Sequence, residues 1–238
     1  MLSQTTMRYC LLFFLCFLQI KAQAQQLFSA TQYELIFSLA SMNSTSVVPS
    51  KPVLRFSGFF NYESQIHFDF GKHAGIYSGL GIKNIGLINT FKENETTIKQ
   101  RAYVLSMPLA FKLGSMKDQS YVALGGEANL MMHYKEKFIY GKSKSKDNEW
   151  FSNKVNLFNP AVFIQVKFMK SQVVTFKYYL QDFLRPQQGG IVLPDGTVVA
   201  DYGRSSKLFY ISYGSNIATR SNKQKQQEFQ NIRSARLD

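Results

Sequence analysis

The chain has 238 residues, 45% of them hydrophobic and 15% aromatic, with 28 Lys and Arg against 15 Asp and Glu for a formal charge of +13. That length suits a single all-β domain, and no stretch beyond the N-terminus approaches the run of about 18 apolar residues that a transmembrane helix needs. A closed barrel stays open as a way across a membrane, because alternating strands disappear in hydropathy averages.

Residues 1–24 read as a cleaved signal peptide. Arg8 gives the positive start, Cys10 to Ile20 the apolar segment, and Ala22-Gln23-Ala24 an A-x-A cleavage site. Arg8 and Lys21 leave with it and no acid does, taking the charge from +13 to +11. Both cysteines, Cys10 and Cys16, leave too, which excludes a cysteine nucleophile, a thiolate metal site and a disulfide scaffold from the mature chain. A basic exported chain suits anionic lipid head groups or polyanions. Nucleic acid is not expected as a partner, since no binding motif is present.

The mature chain alternates with period two, which serves a strand and not a helix. Strand one runs from Tyr33 to Met42, and Asn43–Arg55 reads as a loop. Strand two, Ser57–Phe70, sets Phe60, Tyr62, Ile66, Phe68 and Phe70 against Asn61, Glu63, Gln65, His67 and Asp69. A tight turn with His73 leads to strand three, Gly75 to Thr90, and KENETT to the hairpin of strands four and five within Tyr103–Tyr140. There Leu105, Met107, Leu109 and Phe111 oppose Ser106, Pro108, Ala110 and Lys112, with a bulge expected at Pro108. On strand five, Glu127, Asn129, Met131 and His133 share the second face. Gly141–Lys154, holding Trp150 and the Lys142, Lys144 and Lys146 run, reads as a charged loop. Strands six (Asn159–Met169) and seven (Val173–Leu184) follow, then a long loop, 185–207, with a small hairpin in IVLPDGTVV, and strand eight, Leu208–Ile217.

The fold class expected is therefore all-β, an eight-stranded antiparallel transmembrane β-barrel with short periplasmic turns and longer extracellular loops. Its boundaries are 25–217, with 218–238 a basic polar periplasmic tail. A lipocalin-type soluble barrel shows the same periodicity with its faces reversed. Aromatic-rich apolar faces, the short–long rhythm of the connections and the lack of a Gly-x-Trp opening favour the membrane form.

YVLSMPLAFKLG (103–114) followed by YVALGGEANLMMHYKEK (121–137), with FKYYLQDFL (176–184), resembles the PorT-like outer-membrane β-barrel domain proteins of Bacteroidetes-type bacteria over roughly residues 33–217. The resemblance implies a structural or interaction barrel of the Gram-negative outer membrane, an accessory of a secretion or envelope complex. The chain departs from that pattern in continuing past its last strand.

With polar faces inward, the lumen would hold Glu34, Glu63, Asp69 and Glu127 with Lys83, Lys112, Lys167 and Lys177, alongside Asn129, His67 and His133. An eight-stranded barrel is only wide enough for its own side chains, so a structural polar network is favoured over an open pore. A small solute channel is one alternative. An outer-membrane enzyme on lipid or peptide, using a His–carboxylate pair built on His67 or His133, is another. No cofactor motif is present, and catalysis is not expected. The partners expected are outer-membrane lipid and lipopolysaccharide, together with a periplasmic or envelope protein reached through 218–238.

Overall fold

The structure, a computed structural model, describes residues 26–41, 50–91, 95–186, 190–193, 196, 198–199, 202 and 205–219. The proposed signal peptide and the tail beyond Thr219 lie outside them. The strands are β1 (Gln26–Ser41), β2 (Ser50–Val53), β3 (Arg55–Ser57), β4 (Tyr62–Asp69), β5 (Ala74–Phe91), β6 (Thr96–Ser115), β7 (Ser120–Tyr140), β8 (Ser143–Trp150), β9 (Ala161–Phe168), β10 (Gln172–Asp182), β11 (Ile191–Val192), β12 (Val198–Val199) and β13 (Lys207–Thr219).

Neighbouring strands run antiparallel in the order β13-β10-β9-β7-β6-β5-β4-β1, and β1 pairs back onto β13 from Ser29↔Thr219 to Ser41↔Lys207. That last pairing closes an eight-stranded barrel and leaves the ring without an edge. Tight turns join β4 to β5, β6 to β7 and β9 to β10 at the end where β1 begins and β13 finishes. In the β9–β10 turn Met169 and Lys170 both take left-handed backbone, the geometry that lets a short hairpin keep the strand twist. The opposite, extracellular end carries the longer connections.

Burial follows the alternation, with apolar groups outside and polar groups inside. On β4, Glu63, Gln65, His67 and Asp69 are buried while Ile66 is 60% exposed; on β6, Lys112 is fully buried and Leu109 is 63% exposed. A soluble protein does the reverse with lysine and leucine. Leu105, Met107, Leu109, Phe111 and Leu113 of β6 belong to an apolar belt that continues through Val122 and Leu124, Val162 and Ile164, Ile211 and Tyr213. Leu105 to Leu113 spans about nine residues, enough for a tilted strand to cross a hydrocarbon core. The barrel is a membrane-spanning one, of the outer-membrane type.

β6 and β7 are 20 and 21 residues long, about twice a membrane crossing. Their outer halves therefore stand clear of the lipid, flanked by β2, which pairs with the end of β5, and by β8, which pairs with β7 from His133↔Trp150 to Tyr140↔Ser143. Three expectations need correction here. The charged loop at Gly141–Lys154 is largely strand β8, and it carries Trp150. The loop at Asn43–Arg55 includes β2 and the start of β3. Strand one begins at Gln26, seven residues ahead of Tyr33, where outward Leu27 is followed by the small or polar Ser29 and Thr31 and inward Phe28 by Ala30, so the alternation shows little contrast.

Pro108 produces no bulge. The β6–β7 register runs unbroken through Pro108↔Glu127, and on the other side the β5–β6 ladder lapses between Ser78↔Leu109 and Gly81↔Ser106 without a register change. The missing proline donor faces that gap, where the Ser78 hydroxyl donates to the Pro108 carbonyl at 2.8 Å. The one β6–β7 irregularity lies farther out, where Tyr103 faces His133 and Val104 faces Met131, leaving Met132 as the extra residue.

Candidate functional site

The lumen is built in layers. Nearest the periplasm, Lys112 donates to Asp69 at 2.6 Å and lies 3.0 Å from His67 Nδ1. The His67 ring is stacked between Phe28 and Tyr77, centroids 4.8 and 4.9 Å away, and its Nε2 meets Gln65 Oε1 at 2.9 Å. Lys112 is a donor only, so Nδ1 accepts and Nε2–H donates to the amide oxygen. Lys167, on β9, donates to Asn216 at 2.8 Å and to Gln119 at 3.0 Å.

Above this sits a belt of amides. Gln65 Nε2 donates to Glu63 at 2.5 Å, Gln32 Nε2 to Glu34 at 3.1 Å, and Gln165 and Asn216 both donate to Gln32 Oε1 at 3.1 Å. At mid-barrel Lys83 meets Glu127 at 2.7 Å, Glu63 at 2.8 Å and Glu34 at 3.8 Å, and Lys177 meets the same Glu127 oxygen at 2.5 Å. The acids and lysines foreseen for the lumen thus fall into two groups, an acid-rich one around Lys83 and Lys177 and a lysine-rich one around Lys112 and Lys167. Charges this deeply buried are tolerable only when paired and hydrogen-bonded.

The outer third of the barrel holds an apolar cluster beside a buried polar group in which Gln100 and Tyr134 both donate to Glu136. Ile36, Ile85, Val104, Met131, Tyr134, Tyr179, Phe183 and Leu208 form one buried cluster, and Leu193, Val199 and Tyr202 of the β10–β13 connection pack into it. The Tyr202 hydroxyl donates to Gln100 Oε1 at 2.6 Å, tying that connection to β6. β11 and β12 form the small hairpin inside it.

Two candidate histidines behave differently from expectation. His133 is not in the lumen. The extra residue at Met132 slips the alternation by one, which sends the next side chain to the opposite face. His133 lies on the outer surface, stacked between Tyr103 at 5.9 Å and Trp150 at 4.5 Å. His67 is in the lumen, but among the described residues its ring nitrogens meet an ammonium and an amide and not a carboxylate. Neither builds a His–carboxylate pair. Asn129 is fully buried and donates to the Glu127 carbonyl at 3.3 Å, and His73 is exposed in its turn.

Arg55 was not foreseen. It fills the gap between β3 and β5, its guanidinium donating to the Asn84 carbonyl at 3.1 Å and to Asn84 Oδ1 at 2.6 Å. Lys144 and Lys146, noted in the sequence as a charged run, were not foreseen to join Lys99, Arg101, Lys135 and Lys137 on one side, the outer face of β6, β7 and β8 above the lipid belt. The signal was present: K-x-R at 99–101, K-x-K at 135–137 and K-x-K at 144–146 are period-two patterns of charge rather than of apolarity.

No family model and no curated protein matches the chain. Among solved structures it is similar to Ail, the attachment invasion locus protein of Yersinia pestis, solved with the heparin analogue sucrose octasulfate (10% identity, 82% of this chain and 99% of that chain, TM-score 0.36). It is also similar to CarO2 of Acinetobacter baumannii (14% identity, 82% and 100%, TM-score 0.38) and to the N-terminal β-barrel domain of OprF of Pseudomonas aeruginosa (8% identity, 81% and 100%, TM-score 0.29). Likeness at this level speaks to no ligand or activity.

Proposed function

We propose that the protein is an interaction barrel of the Gram-negative outer membrane, exported through a cleaved signal peptide and anchored to present its extracellular sheet, without conducting or catalysing. One observation carries this reading: the apolar cluster that includes Tyr202 fills the outer third of the lumen, above a middle already packed with ion pairs. An eight-stranded barrel has no spare width for a water path around such groups. The PorT-like resemblance supports an accessory place in a secretion or envelope complex, and the basic tail after β13 supports a contact with a periplasmic or envelope protein.

Planar-bilayer recording of the reconstituted full chain tests this. Silence is expected from the wild type, and intermittent openings from Tyr202→Ala, which loosens the cap. A steady ohmic conductance from the wild type would overturn the reading in favour of a small solute channel.

A further inference from the structure

Above the lipid belt the outward face of the sheet is positive in register. Lys99 of β6 faces Lys137 of β7, which faces Lys146 of β8. One row nearer the membrane Arg101 faces Lys135, and one row farther out Ile139 faces Lys144. The acids of the same strands point the other way. Glu136 is opposite Asp147 on the inner face, where Lys154 meets Asp147 at 2.6 Å, Glu149 at 3.5 Å and Glu136 at 3.8 Å. No outward-facing strand residue of β6, β7 or β8 above Leu105 is a carboxylate among the described residues. Like charges directly opposite across strands repel. The Lys137 ammonium is accordingly lowered in pKa, by desolvation against the sheet and then by Lys144, Lys146, Lys99 and Arg101. Segregation of this kind destabilises the free sheet and suits a surface with an anion to meet.

The height of the rows says which anion. Tyr103, His133 and Trp150 form an aromatic step on the same outward face, just above Leu105 where the lipid belt begins. Such rings sit at the membrane interface. Arg101 lies two residues beyond Tyr103, and with a rise of about 3.4 Å per residue and a tilt near 45° its row stands roughly 5 Å higher and the Lys99 row roughly 10 Å higher. The Arg101 row thus falls within the head-group layer, about 5–7 Å thick on each side, and the Lys99 row just above it. The Arg101 guanidinium and the Lys135 ammonium also lie 6.0 and 5.7 Å from the Tyr103 ring centre, which holds both cations at that level.

We propose that this face binds the phosphates of outer-leaflet glycolipids, phosphorylated lipopolysaccharide, with Arg101 and Lys135 taking the membrane-proximal phosphate and Lys99, Lys137 and Lys146 the charge above it. The assignment rests on the membrane-barrel reading, with this end of the barrel outside. The guanidinium matches a phosphate through two parallel hydrogen bonds, and lysines supply point charges around it.

Trp150, the chain's single tryptophan, borders the surface and reports on it. The full chain in detergent micelles is titrated with bis-phosphorylated lipid A, with the same lipid stripped of its phosphates, and with inorganic pyrophosphate and a soluble sulfated polysaccharide, following Trp150 fluorescence. Expected is saturable binding of the phosphorylated lipid, at least tenfold tighter than of the dephosphorylated lipid or of either free anion. Lys99→Gln/Arg101→Gln/Lys135→Gln/Lys137→Gln should lose at least tenfold, and Lys117→Gln/Lys170→Gln, in periplasmic turns, should lose nothing. Equal affinity for both lipids, full binding by the fourfold variant, or equal binding of the free anions would each overturn the proposal. Heat-modifiable gel migration of every variant separates loss of binding from loss of the barrel. The pair Lys99→Gln/Lys137→Gln serves if the fourfold variant fails to fold, with at least a threefold loss expected and unchanged binding overturning. A wild type that shows no heat-modifiable form would instead refute the barrel reading beneath.

Discussion

Lys83 is held by Glu127 and Glu63 at 2.7 and 2.8 Å and faces Glu34 at 3.8 Å, with Lys177, among the described residues, as the one other cation in the group. Removing it strands buried carboxylates, an imbalance that costs about 3–5 kcal/mol when no solvent can answer it. Lys83→Met should lower the barrel's stability to denaturant in micelles by that order, and Lys83→Met/Glu127→Gln should lose less than the single variant. At Gly125, a Cβ would come within 2.7 Å of both the Phe163 ring and the Ala110 Cβ. Gly125→Leu should therefore destabilise by about 1–3 kcal/mol through overpacking, read from the same denaturation curves. The lumen residues were legible because β4, β5, β6, β7, β9 and β10 each keep their period of two across the membrane. His133 was not, because a bulge leaves no mark in the alternation of the residues before it. Arg55 was hidden for another reason: Ser, Pro and Asn around it signal a loop, and only pairing with β1 draws it into the wall.

At the scale of the element, β8 shows what apolar periodicity misses. Its burial pattern is exposed almost throughout, so its alternation is one of charge sign, with Lys144 and Lys146 outside and Asp147 and Glu149 turned toward Lys154. The Lys154 hydrogen bond, with its positive charge, holds the Asp147 carboxyl below its ordinary value. Partial burial alone would lower Lys154, but the bond to Asp147 and the charges of Glu136, Asp147 and Glu149 raise it. A depressed acid stabilises above its unfolded pKa and stops doing so as pH falls through its folded one. Acidification below the ordinary aspartate range should thus loosen β8, while alkaline pH releases the pair only above the ordinary lysine range. Both groups are partly solvated, so the loss is about 0.2–1 kcal/mol. Protection of the amides across 143–150, taken relative to the intrinsic exchange rate at each pH, should fall on acidification while β6 within the membrane keeps its protection; unchanged protection in β8 would contradict the coupling. Strand ends were less legible than strand identities. β5, β6 and β7 run on past the lipid, where the outward residues of β6 and β7 become basic, those of β5 become Asn84, Gly86, Ile88 and Thr90, and the pattern of greasy against polar stops.

At the scale of the molecule, one choice decides everything else: which face of the alternating strands meets water. A soluble barrel and a membrane barrel share their periodicity, and closure through β1 and β13 is common to both. The buried lysines and the exposed leucines, together with aromatic rings at the rim, select the membrane form, and the lumen network and the basic outer sheet follow from it. Nitroxide scanning of β6 in lipid vesicles, one position at a time from Leu105 to Leu113, reads that choice directly. Labels at 105, 107, 109, 111 and 113 should collide with oxygen dissolved in the bilayer and not with a water-soluble nickel reagent, while labels at 106, 108, 110 and 112 should meet neither. Collision of the odd-numbered positions with the aqueous reagent would mean that the leucine face is wet, and the membrane barrel would be wrong.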